Sequence, residues 1–233
     1  MRILTFMKED TIIMKKRIHL LVAAAVLLIS LFAGSMIVSA APTVVNDGNI
    51  DMKLIYHQQK EKNTPDYIIF EKTTYNTKVK KLKSSNTGVA QVSWSAKNPS
   101  VIHFDLKKTG STKITGVLYE GKTKIKKFTI NLNVYKYSNP AKTFSLNNKN
   151  FASKFTNTDT YTFKPGSTTK FKLKIKAKKG WKFEGVWYRN ESTTKKIKNK
   201  KTFKMMSNWS YVDAVFTNKK TGAREDIAII IDK

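Results

Sequence analysis

From residue 42 onward, apolar and polar residues alternate along much of the chain. The clearest run is Phe171-Lys172-Leu173-Lys174-Ile175-Lys176-Ala177-Lys178. Period-two alternation places one face of a β-strand on a core and the other in water. Here Phe171, Leu173, Ile175 and Ala177 take one face, and Lys172, Lys174, Lys176 and Lys178 take the other. A rise of about 3.3 Å per residue spaces those ammonium groups about 6.6 Å apart along the strand. The same pattern predicts strands at Tyr67–Phe70, Lys78–Leu82, Val89–Trp94, Lys113–Tyr119 and Ile125–Tyr137. In the last of these, Phe128, Ile130, Leu132 and Val134 form the apolar row. Ser138-Asn139-Pro140 ends the run, since proline cannot continue a ladder and Ser and Asn favour turns. A boundary is expected there.

The second half repeats the style. A strand opens at Thr143–Leu146, and Lys164-Pro165-Gly166-Ser167 predicts a turn before the lysine row. Trp181–Tyr188 predicts a further strand. Tyr211–Thr217 and Asp226–Ile231 predict a hairpin around Asn218–Gly222. Many short strands separated by turn residues suggest an all-β protein of two β-sandwiches, residues 42–138 and 141–233.

Only the beginning of the chain breaks this pattern. Lys15-Lys16-Arg17 precedes the apolar run Leu20–Leu31, and small residues follow at Val38-Ser39-Ala40-Ala41-Pro42. This is the three-part order of a secretory signal helix, residues 1–40, cut after Ala40. Met14 makes a more ordinary start than Met1. The apolar stretch Ile18–Ala41 is also long enough to span a membrane as an uncut anchor. With cleavage, 193 residues remain (233 minus 40). No Leu-Pro-x-Thr-Gly sorting motif is present and Ile227–Ile231 is too short to span a membrane, so covalent wall anchoring is not expected. A secreted protein, in contact with the cell envelope or free of it, is the expectation.

Charge changes the picture next. The leader's five basic and two acidic residues carry +3 of the chain's +28, leaving +25. Outside the leader only Arg189 and Arg224 are arginines, so the field is made by lysine. Lysine is a hydrated point charge without the planar fork of arginine. Such a surface attracts polyanions through salt-sensitive attraction that is blind to sequence. Solubility alone is the competing reason for it. The expected polyanion-binding residues are Lys172, Lys174, Lys176 and Lys178, joined by Lys195, Lys196, Lys198, Lys200 and Lys201.

The segment Val92-Ser93-Trp94-Ser95-Ala96-Lys97-Asn98-Pro99-Ser100-Val101 resembles the Trp-Ser-x-x-Asn-Pro-x-Val core of bacterial immunoglobulin-like domains, group 2. Gly110-Ser111-Thr112-Lys113-Ile114-Thr115 is similar to that family's Gly-Thr-x-x-Ile-Thr strand. Phe128–Val134 is similar to its closing strand. The resemblance covers residues 78–136. Ile102-His103-Phe104 is bulkier than the family pattern, and Asp105-Leu106-Lys107-Lys108 replaces its glycine-containing strand. Residues 141–233 are Ig-like only in general style. The resemblance implies small sandwiches on bacterial surface proteins, used as spacer or adhesive modules, with no catalytic residues to transfer.

Chemistry beyond charge is sparse. The absence of cysteine excludes disulfides, thiolate metal sites and a thiol nucleophile. His57 and His103 have no serine or acidic motif beside them, and no Asp-x-Asp loop or His-Glu-x-x-His spacing suggests a metal. No enzyme activity, cofactor or metal is expected. Trp181, Phe183 and Trp187 share strand parity with Gly185 between them. An exposed aromatic row could stack on sugars or bases, but a sandwich core is the expected place for Trp181 and Phe183, and for Trp94. Some Ig-like surface domains form Lys–Asn crosslinks beside an acid, for which Glu184 or Asp213 is the candidate here. The expected function is a non-catalytic surface or adhesion module binding anionic polymers: teichoic acid, glycosaminoglycan or extracellular nucleic acid. The alternative is a passive structural or protein–protein module of the envelope.

Overall fold

The computed structural model describes residues 44–57 and 63–233. The leader reading, residues 1–40, lies outside the described residues. The strands are β1 (Asn49–Tyr56), β2 (Asp66–Ile68), β3 (Thr77–Ser84), β4 (Ala90–Trp94), β5 (Val101–Leu106), β6 (Gly110–Glu120), β7 (Thr123–Lys136) and β8 (Ala141–Leu146). There follow β9 (Lys149–Asn150), β10 (Thr160–Phe163), β11 (Lys170–Ala177), β12 (Trp181–Arg189), β13 (Thr194–Ile197), β14 (Thr202–Lys204), β15 (Trp209–Asn218) and β16 (Arg224–Asp232). Among the described residues the chain is all-β apart from short 3-10 turns. No helix among the described residues is long and apolar enough to cross a membrane.

Two sheets form from the first half, in orders β1-β7-β6-β3 and β2-β5-β4. Two form from the second, in orders β10-β16-β15-β12-β13 and β14-β11-β8-β9. Within each half the apolar rows of both sheets meet in one core. Ile102, Phe104, Ile114, Phe128, Ile130 and Leu132 centre the first. Phe144, Phe171, Leu173, Tyr188, Phe216 and Ile229 centre the second. The segment Ser138–Pro140 joins β7 to β8. Ile55 and Tyr137, at the ends of the first half's strands, pack into the second core.

Long β7 follows its alternation: Phe128, Ile130, Leu132 and Val134 are all buried. The Trp-to-Val segment forms the turn between β4 and β5. There the Trp94 indole donates to the Pro99 carbonyl at 3.0 Å, and Val101 N–H closes on Asn98. Trp94 is half-buried against the core, not wholly inside it. The two strands expected at the C-terminus do form a hairpin, β15–β16, with full antiparallel register.

One expectation about side-chain direction fails. Trp187 does not share the inward face of Trp181. In β12, Phe183 pairs with Phe216 and Gly185 with Val215, so Glu184 is an extra residue opposing none. A bulge of one residue reverses parity beyond it. Val186 and Tyr188 therefore fill the core, and Trp187 lies on the outer face. Gly185 makes room for it: a Cβ there would lie 2.8 Å from the indole ring.

A lysine-faced sheet and a buried junction cluster

Strand β11 behaves as its alternation requires. Phe171, Leu173 and Ile175 are buried, while Lys172, Lys174 and Lys176 are exposed. Lys170 has the same parity and is exposed too, extending the row by one. Lys204 on β14 sits directly across from Lys170 and is also exposed. The sequence reading missed both, because Lys170 precedes the clean alternation and Lys204 lies in a three-residue strand. Lys178 stands beyond the strand, exposed, its N–H donating to the Pro140 carbonyl.

The loop 198–201 is drawn alongside this row. Lys201 accepts from the Leu173 N–H at 3.0 Å. The Asn199 side chain accepts from the Ile175 N–H at 2.8 Å and donates to its carbonyl at 2.9 Å. Lys198, Lys200 and Lys201, all exposed, are thereby held beside Lys172, Lys174 and Lys176. Among the described residues none of these lysines is ion-paired; the lysines that are paired are Lys107, Lys126, Lys164 and Lys182.

Lys195 and Lys196 do not join them as one patch. They are consecutive on β13, so they project to opposite faces. Lys195 pairs in register with Tyr188 and Lys196 with Trp187. Their ammonium groups lie 5.5 Å over those same rings. Lys196 and Trp187 thus share the outer face of the five-stranded sheet, with the Arg189–Asp213 ion pair at 2.8 Å. Asp213 is engaged by that arginine and Glu184 by Lys182 at 3.0 Å, so neither acid expected to assist a crosslink stands alone.

Two further acids meet a histidine elsewhere. Where the two halves meet, His57 follows β1, Asp159 precedes β10, and Glu225 lies in β16. One ligand atom from each of the three falls within 4.8 Å of the others. His57 and Glu225 are both buried, with Nε2 3.5 Å from Oε2. Asn63 fixes the His57 backbone from both sides, accepting its N–H and donating to its carbonyl, each at 2.7 Å. The imidazole packs on the Tyr137 ring, centroids 4.8 Å apart. The Tyr137 hydroxyl reaches the carbonyls of Phe155 and Thr158. Burial, then the charges of Glu225 and Asp159, push the Tyr137 phenol up. Burial and the charges of Asp226 and Glu225 do the same to Tyr67, which reaches this junction from β2. His103 takes a different partner, Asp66, at the surface.

No family model matches the sequence, and no curated protein matches it. Among solved structures, the human desmocollin-1 ectodomain aligns with a TM-score of 0.27 and 9% identity, over 80% of this chain and 39% of that one. Surface layer protein SbsC, domains 4–9, gives 0.27 and 13%, over 80% and 31%. The endo-fucoidan hydrolase MfFcnA4 of glycoside hydrolase family 107 gives 0.28 and 10%, over 83% and 30%. The chain spans well under half the length of each. Ig and cadherin domains are also among the structures matched. An ectodomain, a surface-layer protein and a hydrolase all align at TM-scores of 0.28 or less, so these likenesses assign no role.

Proposed function

We propose that this chain is an exported bacterial surface module, two sandwiches over residues 42–138 and 141–233, the first of the group 2 immunoglobulin-like kind, and that it holds anionic polymers on the face of β11. One observation carries the reading. Lys170, Lys172, Lys174 and Lys176 project from one strand whose opposite face is locked into the core. The loop lysines 198, 200 and 201 are tied beside them, and no carboxylate pairs with any of them among the described residues. Ammonium groups about 6.6 Å apart repel one another. A polyanion lying along the strand relieves that repulsion and releases its own counterions. Teichoic acid, glycosaminoglycan and extracellular nucleic acid all carry regularly repeated negative charge, and lysine, a point charge, does not discriminate among them.

The test is graded salt elution of the leaderless protein from heparin, teichoic acid and DNA supports, beside a variant carrying Lys172→Glu, Lys174→Glu and Lys176→Glu. The wild type is expected to elute above physiological salt, and the variant well below it. For the DNA arm, the slope of log K against log salt should fall by about 2–3 in the variant, each phosphate contact contributing about 0.7–0.9. Elution of the wild type below physiological salt, or an unchanged slope in the variant, overturns the reading. Binding to a protein partner that persists at high salt would favour the passive module instead.

A further inference from the structure

We infer that His57, Asp159 and Glu225 form a divalent transition-metal site of the zinc or manganese class, and that the ion fastens the first pair of sheets to the second. The ligand types suit it: one imidazole nitrogen and two carboxylates are a donor set for borderline cations. The spacing suits it as well. His57 Nε2 and Glu225 Oε2 are 3.5 Å apart, beyond the usual 2.7–3.2 Å of a direct N–H···O bond. Two ligands that share one zinc at about 2.0–2.2 Å in a tetrahedron stand about 3.3–3.6 Å from each other. Ligand atoms of all three residues converge within 4.8 Å.

The surroundings are those of a prepared site. The His57 main chain is clamped on both sides by Asn63, and its ring is braced on Tyr137. Asp159 is anchored through its carbonyl, which accepts from the Ala228 N–H at 2.7 Å. Supports of this sort fix ligand orientation. The electrostatics point the same way. In a chain of +28, two carboxylates are brought together next to a third, Asp226, at a buried junction. Bringing like charges out of water is costly unless a cation shares the space. Arg224 pairs with the neighbouring Asp226 at 3.4 Å. Three protein ligands leave at least one coordination position for water or a partner's donor atom.

Sequence reading finds no such site, since the ligands are 102 and 66 residues apart along the chain and no local motif joins them. Only the meeting of the two halves brings them together. The ion would therefore tie together strands on either side of the Ser138–Pro140 segment.

The test is calorimetric titration of the chelator-treated leaderless chain with Zn2+, Mn2+ and Co2+ at neutral pH, with thermal unfolding alongside. One equivalent of zinc or manganese is expected to bind, raising Tm and slowing proteolysis between β7 and β8. Bound Co2+ is expected to show visible absorption of low-symmetry coordination. His57→Ala and Glu225→Gln are each expected to weaken binding about tenfold or more, and Asp159→Asn to do likewise; Lys174→Glu, on the lysine face, should leave it unchanged. If His57→Ala fails to fold, the two isosteric variants decide. Absence of binding by all three metals at about 1 mM, or undiminished binding in Glu225→Gln and Asp159→Asn, overturns the inference.

Discussion

The Asn199 side chain is bonded to both backbone groups of Ile175, accepting its N–H at 2.8 Å and donating to its carbonyl at 2.9 Å. Strand β14 pairs with β11 only over Lys170–Lys172. Beyond that point a side-chain amide takes the place of the missing strand. It satisfies an edge that would otherwise face solvent, and it seats the lysine loop. Asn199→Ala removes both bonds at a partly buried position, so a loss of about 1–2 kcal/mol is expected in denaturant unfolding. Retention on polyanion resins should fall as well, because Lys198, Lys200 and Lys201 lose their fixed place.

Gly116 pairs across strands with Phe128, and the phenyl ring lies over it. A Cβ at position 116 would come within 2.4 Å of that ring. Phe128 is buried, so the ring has nowhere to retreat. Gly116→Ala is expected to cost about 1–3 kcal/mol by overpacking, read as a lowered midpoint with an unchanged slope in urea.

Tyr188 is buried, and its hydroxyl accepts the Met206 N–H at 2.7 Å while lying 2.8 Å from Ser210 Oγ. Tyr188→Phe keeps the ring, strands the Met206 N–H and leaves Ser210 Oγ with Ser207 Oγ alone, at 3.2 Å. The expected loss is about 1–3 kcal/mol. Adding Ser210→Ala should recover part of it, and a double-mutant cycle measures how much.

Burial raises the Glu184 carboxyl, but hydrogen bonds from Lys182 and Thr217, with the charges of Lys182 and Arg224, outweigh it and hold the group below its ordinary 4.5. A carboxyl lowered in the folded state contributes stability at pH above about 4.5, and that contribution disappears as pH falls through the folded value. Glu184→Gln should therefore be less stable than wild type near neutrality, by less than about 1 kcal/mol. The two unfolding curves should converge in acid. A difference that grows on acidification would contradict this.

Alternation and turn residues were enough to place most of the strands. Phe171 to Ile175 on β11 and Phe128 to Val134 on β7 read correctly because each half-buried strand obeys a period of two. The reading failed where a single residue intervened. Glu184 bulges out of register, and everything after it in β12 changes face, so Trp187 ended outside. No local signal marks that residue as extra; only its cross-strand partners do. Lys172, Lys174 and Lys176 and the loop lysines Lys198, Lys200 and Lys201 were all named from the sequence, but the placing of the loop beside the strand depends on Asn199, whose partner lies 24 positions away. The His57–Asp159–Glu225 cluster was illegible for the same reason: contacts made by the packing of separate elements leave no spacing in the chain.

Strand β1 runs parallel to β7 in unbroken register from Asn49↔Thr129 to Tyr56↔Lys136. If the protein is pulled from the residue before β1 and the residue after β7, the load falls lengthwise on that ladder. All its bonds must then yield together, whereas a hairpin unzips one bond at a time. Loaded in that direction, the first half would thus resist tension far longer than strands that peel apart, its lifetime under load set by the barrier to unfolding.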